Sequence, residues 1–138
     1  MTLPPSAQLV LVPINGEWDV VTARQEARAV AVSLGFGGTL LTVIATAVSE
    51  IARNIVNYAG RGEVGISIVE SGGRRGIEIV ARDTGPGIPD IALAMQDGYS
   101  TGRGLGLGLP GARRLMDDFH IESTPGKGTC IVMRKWRK

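Results

Sequence analysis

A carboxylate and two amides recur at helical spacing in SEIARNIVNYA, residues 49–59. With 3.6 residues per turn and Glu50 set to zero, Asn54 projects at about 40° and Asn57 at about 340°. Leu41, Ala45, Val48, Ala52, Ile55 and Ala59 project to the opposite side, so one face packs and the other is polar. A carboxylate in that setting can accept a proton. An amide oxygen one turn away can ligate a hard cation such as Mg2+. An ordinary solvated face has the same geometry, but it favours Lys, Glu and Arg over Asn, a poorer helix former.

Two glycine-bearing stretches add to this. DTGPGI, residues 83–88, follows the apolar run IEIVA. An Asp at a strand end before Gly-Pro-Gly makes a tight turn. Its glycines let a planar ligand approach the backbone, and its carboxylate can accept a hydrogen bond from an exocyclic amine. TGRGLGLGLPG, residues 101–111, alternates glycine with leucine and runs into a helical pattern. A flexible linker would be polar and Ser-rich. Consecutive backbone N–H groups before a helix N-terminus instead suit an anion. The stretch is not a P-loop, because no GxxxxGK[ST] occurs in the chain. Gly106, Gly108 and Gly111 satisfy GxGxxG, but the stretch does not directly follow a strand as a dinucleotide-binding turn requires. GKGT, residues 126–129, also reads as a plain hairpin turn.

The elements that must position these groups follow from periodicity. QLVLVPI, 8–14, reads as a strand with an edge position at Pro13. Asp19 is placed to cap a helix whose apolar positions are Val20, Ala23, Ala27, Val30 and Leu34. Gly35, Gly37 and Gly38 end it, and a second helix runs from about Thr39 to Ala59, closed by Gly60. EVGISIVE and IEIVAR are strands joined by SGGRRG, which predicts a hairpin. IALAMQ is a short helical piece, GARRLMDDF (111–119) another helix, and HIEST with TCIVMRKW a last hairpin. Helices grouped against a largely antiparallel sheet predict a two-layer α+β domain over residues 1–138.

Composition is compatible with this. The 138 residues are 43% apolar and only 4% aromatic, so the core must come from Val, Ile, Leu and Ala. A net charge of +2 does not favour nucleic acid as a partner. The basic end RKWRK reads as a solvated strand terminus, or as a contact for phosphate or an acidic partner. The one cysteine, Cys130, reads as a small buried hydrophobe, and the one histidine, His120, as a partly buried strand residue. No uninterrupted apolar run approaches the roughly 18 residues of a membrane span, and the N-terminus lacks a signal-peptide pattern. A cytoplasmic location with no membrane partner is therefore expected.

In order, E-x-x-x-N on a helix, D-x-G-x-G, G-x-G-x-G and G-x-G-T resemble the GHKL superfamily of ATPases and kinases, over residues 50–129. SEIARNIVNYAGRGE, MQDGYSTG and LGLGLPGARRLMDDF are similar to the small anti-sigma serine kinases, in particular the switch kinases of the stressosome. The resemblance implies a Bergerat fold, an α/β sandwich that binds ATP and Mg2+ between helices and sheet. It implies Glu50 as catalytic base and Asn54 as the Mg2+ ligand. It implies an adenine turn of Asp83, Gly85, Gly87 and Ile88, supported by Thr129. Thr101, Gly102, Arg103, Gly104, Leu105, Gly106, Leu107 and Gly108 would form a short lid over the phosphates, with Arg103 placing charge near the γ-phosphate. Asn57 joins the nucleotide side by its position on the helix. The implied activity is serine phosphorylation of S-type and R-type STAS-domain proteins of the stressosome, followed by engagement of a downstream regulatory protein. A nucleotide-gated anti-sigma factor and a non-catalytic binding module stand beside it as alternatives.

Overall fold

The computed structural model describes residues 8–87, 95 and 108–137. Five strands, β1 (Gln8–Ile14), β2 (Gly62–Ser71), β3 (Arg74–Asp83), β4 (Asp118–Thr124) and β5 (Gly128–Trp136), form one antiparallel sheet in the order β1-β2-β3-β5-β4. Helices α1 (Glu17–Ser33) and α2 (Gly38–Tyr58) pack on each other and on the sheet, and α3 (Gly108–Leu115) packs on α2. This is the two-layer α+β arrangement expected from the sequence.

Period-two alternation places Val64 and Ile66, Ile77 and Ile79, and Ile131 and Met133 in one core with Ile44, Ile51 and Ile55 of α2. All five apolar positions predicted for the first helix, Val20 to Leu34, are buried. The β2–β3 hairpin turns on Gly72 and Gly73, whose φ values of 58° and 77° match the two-residue turn that suits strand twist. α2 ends where Gly60, at φ 85°, donates its N–H to Ile55 O at 2.9 Å.

Several local expectations shift. α1 begins at Glu17, with Gly16 at the cap position. Asp19 sits in the first turn instead, accepting the N–H groups of Asn15 at 2.7 Å and Gly16 at 3.2 Å, because glycine has no side chain to cap with. The helix expected over 111–119 spans 108–115, and the chain is already extended at Asp118. His120 is exposed on edge strand β4, beside Glu122 at 3.1 Å, and Cys130 is half-buried rather than buried. Both lie on positions that alternate away from the helices.

The basic end is tied down. Arg134 Nε donates to Glu78 at 2.7 Å, Lys135 Nζ to Leu115 O at 2.9 Å and Arg137 Nε to Gly35 O at 3.0 Å. Trp136 donates its backbone N–H to Asp117 and its indole N–H to Asp118, each at 2.8 Å.

α2 is 21 residues long and contains an 18-residue stretch with a mean hydropathy of 1.4, long and apolar enough by composition to cross a membrane. No single apolar run announces this, because Thr, Ser, Glu, Arg and Asn interrupt it. Ile44, Val48, Ile51 and Ile55 are nevertheless wholly or almost wholly buried inside the protein, as befits its core helix.

Candidate active site

The last three turns of α2, the end of β3 and the start of β5 build one corner of the molecule. Asn54 is buried at 8% exposure, Glu50 is partly buried and Asn57 is exposed, so the polar face runs from the interior outward. Arg53, absent from the sequence-based set, borders the same face. Its Nη1 lies 3.7 Å from Glu50 Oε1, and its Nε lies 4.0 Å from Glu17 Oε1 on α1. The projection that placed Glu50 and Asn54 together puts Arg53 about 60° away, which was the available signal.

Asp83 closes β3. It pairs with Gly62 of β2 on one side and Thr129 of β5 on the other. A Cβ built on Gly62 would strike the Arg82 carbonyl and lie 3.0 Å from both Asp83 Cβ and Ile55 Cγ2. Only glycine therefore lets the Asp83 side chain and Ile55 of α2 close over β2. Asp83 Oδ1 accepts the Gly85 N–H at 2.9 Å, which fixes the turn that follows.

That turn is held on two further sides. A Cβ on Gly85 would come within 2.6 Å of Ala59 Cβ, at the end of α2. Gly87, at φ 79°, abuts the Thr124 carbonyl, and Gly126 N–H donates to Pro86 O at 2.8 Å. The DTGPG and GKGT segments are thus stitched into one rim. Thr129 is buried, with its Oγ1 2.9 Å from Ser123 Oγ, an arrangement in which Ser123 orients the hydroxyl.

A cavity of about 520 Å³ is lined largely by Glu63, Arg82, Glu122 and Cys130, on the sheet face turned away from the helices, with Asp83 and Thr129 at its edge. The structure brings Asp83 and Thr129 side by side in the β3–β5 register, and Glu50, Asn54 and Asn57 do not line this cavity. They approach from α2, whose end meets the same turn at Gly85. Gly108, at φ 52°, is the first residue of α3. Ile88 and the lid residues Thr101, Gly102, Arg103, Gly104, Leu105, Gly106 and Leu107 lie outside the described residues, as does most of IALAMQ.

Chemically, this corner offers a carboxylate and a buried amide on one helix face, a second carboxylate in a backbone-locked turn, and a buried hydroxyl beside it. Residues 15–135 match the histidine kinase-like ATPase domain family, so the chain belongs to that family. It is 54% identical over 125 residues, covering 91% of this chain and 94% of the other, to "Serine/threonine-protein kinase RsbT" of Bacillus subtilis (strain 168). That likeness over nearly the whole of both chains makes it a protein kinase member of the family. "Anti-sigma F factor" of Thermoanaerobacter sp. (strain X514) is 37% identical over 99 residues, 67% of this chain and 68% of the other. Among solved structures, "Mycobacterial sensor histidine kinase MprB" shares the fold, with a TM-score of 0.56 at 20% identity over 92% of this chain and 97% of the other.

Proposed function

We propose that this kinase, acting as a single domain over residues 1–138, transfers the γ-phosphoryl group of Mg-ATP to a serine of STAS-domain stressosome proteins of the S and R types. After that transfer it is released to engage a downstream regulatory protein. One observation carries the reading. Glu50 and Asn54 stand one turn apart on α2, and the Asp83 turn is locked against the end of that helix through Gly85 and Ala59.

In this reading Asp83 accepts a hydrogen bond from the adenine amine, with Gly85, Gly87 and Ile88 shaping the turn and Thr129 supporting it. Thr101 to Gly108 wrap the phosphates. Glu50 accepts the proton as the serine oxygen bonds to phosphorus and the bond to the ADP oxygen breaks, so ADP leaves with the electron pair. Asn57 faces the nucleotide from the outer end of the helix face.

No group of three or more His, Cys, Asp or Glu that could hold a metal occurs among the described residues. One buried amide oxygen, that of Asn54, is a fitting ligand for a cation that keeps waters and phosphate oxygens as its other ligands. Asn54 would therefore hold Mg2+ that arrives with ATP. When bound, the ion neutralises phosphate charge.

The test is incubation with γ-labelled ATP and a purified S-type STAS-domain protein, followed by phosphosite mapping. Phosphoserine on the partner is expected. Absence of transfer despite ATP binding would favour the second reading, a nucleotide-gated anti-sigma factor or binding module, which the 37% likeness to an anti-sigma F factor supports.

A further inference from the structure

Arg53 connects the two long helices at the polar face. Its guanidinium spans two carboxylates at once, Glu50 on its own helix at 3.7 Å and Glu17 in the first turn of α1 at 4.0 Å. The Glu50 side chain is 14% exposed, Arg53 33% and Glu17 65%, so the chain of charges runs from solvent inward. A surface ion pair contributes little to stability. Here, however, the inner member is the carboxylate assigned above to proton transfer.

We propose that Arg53 is a positioning residue for phosphotransfer. It holds the Glu50 carboxylate in its working orientation and is itself braced against α1 by Glu17. The proposal rests on the assignment of Glu50 as the base.

A glutamate carboxylate swings on several rotatable bonds, and holding it in one orientation costs conformational entropy. A general base must come within about 2.6–3.2 Å of the proton it takes. Misplacement on the order of 1 Å can cost about 100-fold in rate. Arg53 limits that freedom. Its planar fork lets Nε and Nη1 face different partners, which a lysine ammonium cannot do in the same way. At 3.7 and 4.0 Å these contacts are ion pairs rather than hydrogen bonds, so the oxygens of Glu50 stay open to accept a proton. The Glu17 contact crosses between packed helices, so the brace does not depend on α2 alone.

The test uses γ-labelled ATP, a purified S-type STAS-domain protein and a fluorescent ATP analogue. Arg53→Ala is expected to lower kcat about 10- to 100-fold, with KM for ATP and analogue affinity within about twofold of the unaltered protein. Arg53→Lys, which keeps charge but not the fork, should recover only part of the loss. Glu17→Gln should lower kcat by about 3- to 10-fold, and adding it to Arg53→Ala should cause no further loss. Circular dichroism checks folding, and Arg53→Met, which keeps the aliphatic stem, replaces the alanine variant if that fails to fold.

A folded Arg53 variant with unaltered kcat overturns the proposal, and additive losses in the double variant overturn the brace through Glu17. Glu50→Ala separates the two levels. If it abolishes transfer while Arg53→Ala leaves kcat unaltered, only the role of Arg53 fails. If Glu50→Ala transfers normally, the assignment of the base fails and takes the role of Arg53 with it.

Discussion

Gly85 lies so close to Ala59 that a Cβ built on the glycine would sit 2.6 Å from the alanine Cβ and 2.8 Å from its Cα. Two segments of quite different character, the end of the core helix and the turn after β3, therefore meet with no room for a methyl group. Asp83 is locked into that turn through the Gly85 N–H. The position of its carboxylate thus depends on the contact between glycine and alanine.

Gly85→Ala should push the turn away from α2. Overpacking of this kind costs about 1–3 kcal/mol. Urea denaturation should show a loss of that size, and titration with ATP should show weaker binding. An unchanged ATP affinity would mean that the turn can shift without moving the nucleotide.

Glu50→Ala should keep nucleotide binding and lose transfer, because the carboxylate on α2 is assigned to proton transfer and the Asp83 turn to the nucleotide. Losing a positioned acid or base typically costs about 10²–10⁴-fold in rate. Binding of a fluorescent ATP analogue and phosphate incorporation into the partner, measured on the same preparation, separate the two effects. Transfer at the unaltered rate would remove Glu50 as the base.

Asp83→Asn keeps the size of the side chain and an oxygen for the Gly85 N–H, but discards the charge. The turn should stay folded, while ATP affinity falls. Losing a charged hydrogen bond to a ligand amine is worth about 1.5–3 kcal/mol, or roughly one to two decades in Kd. Calorimetry that finds the same affinity would take Asp83 out of the adenine site.

Asp117→Ala should destabilise the protein without touching the nucleotide corner. The Asp117 carboxylate accepts the Trp136 N–H at 2.8 Å and faces Lys135 Nζ at 3.4 Å, which joins the α3–β4 connection to the end of β5. A loss of about 1.5–3 kcal/mol is expected from a charged hydrogen bond. The urea midpoint should fall, and ATP affinity should not change.

Much of this architecture was legible locally. The run from Val20 to Leu34 turns one side of α1 inward, and the opposed faces of α2 follow from a projection that needs no coordinates. Glycine pairs announced the β2–β3 turn, because a tight hairpin needs positive φ at both central residues. Element ends were less legible. Asp19 served its helix from inside the first turn, since the cap position fell on Gly16. The helix at 111–119 ended early because Asp117 and Asp118 were drawn to the backbone and indole of Trp136. The cluster RKWRK reads as a solvated strand terminus and does end β5, yet Arg134, Lys135, Trp136 and Arg137 find partners far away in the chain.

By itself the sequence determined which residues of α1 face inward, where the chain must turn, and that Glu50, Asn54 and Asn57 share a helix face. All three follow from rules that act over a few neighbouring residues: side-chain periodicity, backbone sterics and glycine's freedom at positive φ. The tertiary structure alone decided that Thr129 stands beside Asp83, that Gly85 seats against Ala59, and that Arg53 reaches across to Glu17. Each of these depends on strand order or helix packing between segments distant in the chain. Such contacts are set by how whole faces fit together in the core, and no local spacing encodes them.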